Sequence, residues 1–313
     1  MVKTKGKIAL QIQANSRLHL GFLNLNSQQQ YSYGGIGVSI DKYPTISSIS
    51  ESNEFTSNLS KKLNNQILKY LKNNNLSLNI KIECHESPIQ HIGLGSGTQL
   101  KLSIEELISK YYGINDDINI FNRTYRSGIG FNSYKKGGFI VDCPKKNLSN
   151  NHIIFKNTFP RSWKIILLFD SKHTGLHGKT EKYFFSQSNS NNLRKQLSDI
   201  VINEIIPSIL YKDFDIFANG LTKFQKLNYL FYSSIQKSLY LSMDIAKVID
   251  DISKIFNVGV GQSSWGPTSY IFVNSKKNLE DILPVLNQTI SMYNNLSYNV
   301  VSVKNNGRKL TTI

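Results

Sequence analysis

The sequence predicts a two-domain α+β protein. The chain has 313 residues, of which 40% are hydrophobic, so it is longer than one compact domain usually is and can bury a substantial core. Segments with the period of a half-buried strand alternate with segments whose apolar residues recur at helical spacing. A polar stretch at 144–151 precedes a second set of such segments, and we therefore predict domains at 1–160 and 161–313.

In the first half, alternation and turn residues predict strands at 7–16, 17–24, 37–41, 76–84 and 139–142. The third of these follows a predicted turn at Gly34-Gly35. Apolar residues three and four apart predict a helix over 59–71 and another over 100–111. In the second half the same patterns predict strands at 163–170, 268–273 and 298–303, and helices at 191–210, 217–256 and 279–293.

The cysteines and the apolar segments indicate the cellular location of the protein. Cys84 and Cys143 lack zinc-ligand spacing and lie far apart in sequence, which indicates neither a metal cluster nor a disulfide framework. Residues 1–10 contain no apolar stretch typical of a signal peptide, and the apolar run 165–169 is too short to span a bilayer. We therefore predict a cytoplasmic protein that does not enter a membrane.

The charge is strongly positive, with 37 Lys and Arg against 21 Asp and Glu, or +16. Such an excess attracts polyanions, including nucleic acids and multiply phosphorylated metabolites. Compositional drift in an AT-rich genome would produce the same Asn-, Lys- and Ile-rich chain. The lysines are spread along the sequence rather than clustered, which disfavours a specific nucleic-acid-binding protein.

The sharpest motif is the glycine-rich segment 91–99, HIGLGSGTQ, between a predicted strand and a predicted helix. Glycines let the backbone approach an anion, and the first N–H groups of a helix attract negative charge. The segment matches neither the Walker pattern nor the dinucleotide-binding pattern. The predicted phosphate-binding residues are Gly93, Gly95, Ser96, Gly97, Thr98 and Gln99.

This loop resembles the GLGSS loop of the GHMP kinase superfamily. Three further groups of segments fall in the expected order, namely 17–21 with 33–38 before the loop, and 126–130 with 137–142 and then 259–268 after it. From about residue 9 to about residue 273, the set resembles the β-ribofuranosylaminobenzene 5′-phosphate synthase family within the GHMP kinase-like superfamily. The resemblance implies an N-terminal mixed sheet with helices and a C-terminal ferredoxin-like α/β sandwich.

The resemblance also implies an activity. The family condenses 5-phosphoribosyl 1-pyrophosphate with 4-aminobenzoate or 4-hydroxybenzoate, releases CO2 and pyrophosphate, and serves tetrahydromethanopterin biosynthesis. A Mg2+ cofactor and a homodimer are implied with it. The alternative is an ATP-dependent small-molecule kinase of the same superfamily.

Two departures from the kinase pattern bear on that choice. Gly97 stands where the kinase loop has a second serine, and Gly130 stands where many kinases have a catalytic Asp. A kinase must activate a hydroxyl group, whereas an aromatic carbon nucleophile needs no proton removed before attack. The missing base therefore favours the synthase.

The remaining candidate site residues come from the other matched segments. Asn15, Arg17 and His19 alternate with apolar neighbours, so we predict that they share one strand face as a pocket wall, with Arg17 holding the benzoate carboxylate. The predicted catalytic residues are Arg17, His19 and Arg126, and the predicted substrate-binding residues are Ser127, Gly128, Gln262 and Ser263.

A last candidate is a metal ligand. His173, His177 and Glu181 have a spacing that would form a metal face on a helix, but Gly175 and Gly178 favour a loop. From this segment we retain Glu181 as the predicted metal ligand.

Overall fold

The fold is taken from a computed structural model that describes residues 9–24, 31–89, 92–114, 118–122, 127–144, 146, 152–174, 191–231, 233, 236–264 and 266–313. Several residues of the segments singled out in the sequence lie outside these ranges, namely His91, Arg126, Gly175, His177, Gly178 and Glu181. The predictions for Arg126 and Glu181 therefore stay predictions.

The strands are β1 (Leu10–Ala14), β2 (Arg17–Asn24), β3 (Tyr33–Ser39), β4 (Thr45–Glu51), β5 (Thr56–Ser57), β6 (Ile80–Glu86), β7 (Phe139–Asp142), β8 (Ile153–Asn157), β9 (Lys164–Asp170), β10 (Gly259–Gln262), β11 (Ser269–Val273), β12 (Leu296–Val301) and β13 (Lys309–Thr312). The helices are α1 (Lys61–Asn73), α2 (Ser96–Tyr112), α3 (Ile129–Lys136), α4 (Asn191–Ile200), α5 (Ile206–Tyr211), α6 (Phe214–Tyr229), α7 (Met243–Ile255) and α8 (Lys276–Ile290), with a π-helical turn at Val201–Ile205 between α4 and α5.

Within the described ranges the strands form three sheets, in the orders β13-β1-β4-β6-β5, β2-β3-β7-β8 and β10-β11-β9-β12. Neighbouring strands are antiparallel except for the parallel pair β5 and β6. The last strand returns to the first, since Leu10 is in register with Thr312. The first sheet thus joins the two ends of the described chain, and the boundary near residue 160 stays a prediction.

The apolar residues form three buried clusters. One lies between the first sheet and helices α1 and α2, with Ile67 and Leu107 fully buried. A second surrounds the aromatic group Phe159, Trp163 and Phe217. The third covers the last sheet beneath α7 and α8. These clusters fix the sheets that carry the candidate site.

Helix α6 joins the second sheet to the third through two amide side chains. Asn228 accepts from the backbone N–H of Phe22 at 3.2 Å and donates to its carbonyl oxygen. Gln225 donates to the carbonyl of Leu20 and accepts from the N–H of Gln262 at 3.1 Å. Strands β2 and β10 are sheet edges, and buried edge groups need such partners.

Gly21 permits this close contact. A Cβ there would lie 2.6 Å from Cε1 of Phe224, and the residue has φ of +134°. Both constraints require glycine.

The structure corrects several sequence predictions. Gly34 and Gly35 lie inside β3 rather than in a turn, and the strand predicted at 76–84 begins only at Ile80. The helix predicted over 217–256 is interrupted between α6 and α7. Strand β4 and helix α3 were not predicted, because Thr45–Glu51 is rich in serine and Ile129–Lys136 has few apolar residues.

None of the helices that the structure describes combines the length and the apolar character needed to cross a membrane. The cytoplasmic location stays a prediction.

Candidate functional site

The glycine loop leads directly into α2, as predicted, and two of its glycines are required by close packing. Gly93 has φ of +91°, and a Cβ there would lie 2.9 Å from the carbonyl oxygen of Ser263. Gly95 has φ of +81°, and a Cβ there would lie 3.0 Å from Cζ of Arg17. Larger residues would be strained by both the conformation and the contact.

Gly97 differs from these two glycines. It lies in the first turn of α2 and is exposed, and no described atom comes within 4 Å of the position that its Cβ would occupy. Among the described residues, the packing therefore leaves open space over the start of the helix. The first N–H groups of a helix lack partners within the helix and carry its positive dipole end, so this space suits an anion.

The predicted phosphate-binding residues after Gly97 point in different directions. The side chain of Gln99 is fully buried, and its Nε2 donates to the carbonyl of Gly130 at 2.9 Å. Thr98 is half-buried, and its methyl carbon lies 3.2 Å from the position of a Cβ on Gly130. Gln99 therefore ties α2 to the start of α3, while Thr98 packs directly against Gly130.

Arg17 is half-buried and contacts the loop. Its Nη1 donates to the carbonyl of Gly93 at 2.7 Å, and its backbone N–H donates to the carbonyl of Leu94 at 3.1 Å. Together with the contact under Gly95, these bonds position the loop against β2. Asn15 does not share the face predicted for it. It lies in the bend between β1 and β2 and donates to the carbonyl of Asn306 at 2.8 Å.

The second glycine-rich segment, 259–268, packs against the first. Ser263 Oγ donates to the carbonyl of Gly93 at 2.7 Å, so that oxygen accepts bonds from both Arg17 and Ser263. Thr268 donates to the carbonyl of Ile92 through its hydroxyl group. Gln262, predicted to bind substrate, accepts from the N–H of Leu241 at 2.6 Å. The second glycine-rich segment therefore holds the backbone of the glycine loop through these hydrogen bonds.

His19 lies on β2 two residues beyond Arg17 and is 3% exposed. Its backbone N–H donates to Ser263 Oγ at 3.1 Å, and its carbonyl accepts from the N–H of Ser264 at 3.1 Å. Burial, assisted by the positive charge of Arg17, lowers the pKa of His19 to about 3. The imidazole is therefore neutral at ordinary pH.

Ser127 and Gly128 lie at the start of α3. Ser127 Oγ accepts from the N–H of Ile129 at 3.1 Å, a local turn bond just before the helix. The N–H of Gly128 donates to the carboxylate of Asp142, a fully buried residue at the end of β7. In the second sheet, Gly35 on β3 pairs with Phe22 on β2 and with Asp142 on β7. The second sheet therefore brings Asp142 to the face that carries Arg17 and His19, a placement that the sequence did not predict.

The Mg2+ implied by the resemblance finds no ligand set among the described residues. No group of three or more His, Cys, Asp or Glu side chains in these ranges could hold a metal ion. Asp142 accepts a backbone hydrogen bond, and His173 lies 3.6 Å from the carboxylate of Asp170. The predicted ligand Glu181 lies outside the described ranges, so Mg2+ stays a prediction.

The fold is that of the GHMP kinase-like superfamily. Mevalonate diphosphate decarboxylase from Staphylococcus aureus superposes with a TM-score of 0.68 at 14% identity, covering 97% of this chain and 98% of that one. Homoserine kinase from Cytophaga hutchinsonii gives a TM-score of 0.65 at 14% identity, covering 99% of both chains. At these identities the likeness shows the fold alone.

Sequence comparison identifies the family. The β-ribofuranosylphenol 5′-phosphate synthase of Methanocaldococcus jannaschii is 30% identical over 311 residues, covering 86% of this chain and 91% of that protein. The protein of the same name from Methanothermobacter thermautotrophicus is 27% identical over 300 residues, covering 86% and 90%. No family model matches the chain. The chain belongs to the β-ribofuranosylphenol 5′-phosphate synthase family.

Proposed function

We propose that this protein condenses 5-phosphoribosyl 1-pyrophosphate with 4-hydroxybenzoate to give β-ribofuranosylphenol 5′-phosphate, CO2 and pyrophosphate. The observation that carries the proposal is the 30% identity over nearly the whole length of the Methanocaldococcus jannaschii synthase. A product that is a phenol requires a hydroxyl group para to the new bond, which favours 4-hydroxybenzoate over 4-aminobenzoate. The resemblance implies that this reaction serves tetrahydromethanopterin biosynthesis.

The reaction balances without an external base. The bond between the anomeric carbon and pyrophosphate breaks, and the ring carbon that bears the carboxylate forms a bond to the anomeric carbon. Loss of CO2 then returns its bonding electron pair to the ring and restores aromaticity. Because no proton leaves before the attack, a glycine at position 130 is compatible with this chemistry.

The open space at Gly97 supports the placement of the donor. The leaving pyrophosphate would lie over the first turn of α2, where Ser96 and Gly97 present backbone N–H groups and the helix dipole favours negative charge. Charge accumulates on pyrophosphate as the bond breaks, so donors aimed there stabilise the transition state more than the ground state. Arg17 and Ser263 would maintain the loop geometry through the carbonyl of Gly93.

The ATP-dependent kinase is the second candidate, and only the shared fold favours it. One experiment separates the two. Purified protein is incubated with phosphoribosyl pyrophosphate, magnesium and either benzoate, and in parallel with ATP and candidate alcohols. We expect CO2 and pyrophosphate in equal amounts only when donor and benzoate are both present. ADP without CO2 would establish the kinase.

Two further features belong to the proposal. Magnesium dependence is tested by assaying with EDTA and restoring the metal. The homodimer is tested by sedimentation, in which a dimer has twice the chain mass of 35.5 kDa.

A further inference from the structure

The imidazole of His19 is buried without the partners that such a group needs. The residue is 3% exposed, and among the described residues neither ring nitrogen has a hydrogen-bond partner. A buried polar group without a partner destabilises the folded state, so each one calls for an explanation. Its main-chain groups, in contrast, are both bonded to the second glycine-rich segment.

The surroundings of the ring place it inside the candidate site. Arg17 and His19 lie two residues apart on β2, so their side chains leave the same face, about 7 Å apart along the strand. Arg17 contacts the glycine loop, as described above. The ring lies against Phe22, with centroids 4.3 Å apart, and its Nε2 is 3.4 Å from the Cβ position of Gly35. The unpartnered nitrogens therefore lie on the sheet face that also carries Arg17, the residue that contacts the loop.

The charge state narrows the chemistry of the missing partner. Burial and Arg17 lower the pKa of His19, so the unliganded ring is neutral and offers one N–H donor and one acceptor nitrogen. A hydroxyl group can both donate and accept a hydrogen bond, so it suits either ring nitrogen. The substrates of the proposed reaction carry such groups as ribose hydroxyls and a phenolic hydroxyl.

We propose that His19 binds a hydroxyl group of a substrate through a ring nitrogen. This contact would determine which phosphoribosyl donor or which benzoate the protein uses. The inference rests on the proposed function and adds a recognition contact to it. The shared chemistry is a hydroxyl group, and its two sources are the ribose of phosphoribosyl pyrophosphate and the para position of 4-hydroxybenzoate.

The test compares His19→Leu with wild type by calorimetric titration of four compounds in two matched pairs. Phosphoribosyl pyrophosphate is paired with inorganic pyrophosphate, which lacks the ribose, and 4-hydroxybenzoate is paired with benzoate, which lacks the hydroxyl. We expect the hydroxyl-bearing member of one pair to bind roughly 2- to 10-fold more weakly to the variant. Its hydroxyl-free counterpart should bind unchanged. The pair affected identifies the source.

Two controls keep the outcomes distinct. His152→Leu, at an exposed histidine, should leave all four affinities unchanged. The unliganded His19→Leu protein should melt no lower than wild type, because leucine removes a buried group without a partner. Unchanged affinities for all four compounds, or equal losses within both pairs, would overturn the inference. If wild type binds neither substrate, the proposed function fails as well, which the wild-type titration alone reveals.

Discussion

Arg17 donates from Nη1 to the carbonyl oxygen of Gly93 at 2.7 Å, and its guanidinium lies beneath Gly95. The charge of Arg17 therefore acts on the loop that begins α2. The sequence predicted that this arginine holds the benzoate carboxylate, whereas its contacts favour a role in positioning the loop.

Arg17→Ala should consequently weaken binding of phosphoribosyl pyrophosphate more than binding of the benzoate. A charge-assisted hydrogen bond of about 1.5–3 kcal/mol is removed, which corresponds to roughly ten- to hundredfold in affinity. Arg17→Lys should recover only part, because an ammonium group lacks the planar fork. Titration of each substrate measures this. A loss of affinity for the benzoate alone would support the prediction that Arg17 holds the benzoate carboxylate.

Gly97→Ala and Gly95→Ala form a matched pair that separates ligand from packing. Alanine at 97 meets open space in a helix, so the melting temperature should hold or rise slightly, while phosphoribosyl pyrophosphate binds more weakly. Alanine at 95 is strained at φ of +81° and contacts Arg17, so we expect destabilisation of about 1 kcal/mol or more. Thermal unfolding and calorimetry measure the two effects. If Gly97→Ala binds phosphoribosyl pyrophosphate normally, the anion does not lie over this position.

Gly130→Asp places a carboxylate where many kinases have their base. A Cβ at 130 lies 3.2 Å from the methyl group of Thr98, so the new charge would lie beside the loop and repel pyrophosphate. We expect no ATP-dependent phosphotransfer and lower synthase activity. Gly130→Asn, similar in size but uncharged, should lose less activity. Equal losses in the two variants would assign the effect to size rather than charge.

Glu105 should make stability depend on pH. It is 3% exposed on α2 and accepts from the N–H of Phe121 at 3.2 Å. Burial raises its pKa from 4.5 to about 8. Between these values the folded state keeps a proton that the unfolded state has lost, so stability falls as pH rises from about 4.5 through 8.

Glu105→Gln should flatten this dependence and melt higher than wild type above pH 8, because glutamine can still accept the bond from Phe121. Denaturant unfolding across the window measures the slope. The exposed Glu54→Gln serves as the control and should keep the wild-type profile. A wild-type profile for Glu105→Gln would assign the pH dependence to other groups.

Local sequence patterns were enough to predict many of the elements and the glycine loop. Alternation and helical spacing identified β2, α1, β7 and β9, since these patterns record which side of each element faces the core. The glycine spacing at 93–97 correctly predicted a tight loop before a helix, because a left-handed backbone and a close approach each require glycine.

What each polar residue contacts depends on tertiary packing, which local sequence patterns do not reveal. Antiparallel register brought Asp142 beside Gly35, and packing against the loop gave Arg17 its partner. Gln99, predicted to bind phosphate, instead joins α2 to Gly130. The return of β13 to β1 links residues about 300 positions apart, and no local pattern encodes such a pairing. Local sequence sets the conformation of a segment, whereas hydrogen bonds between distant segments depend on how the buried faces pack together.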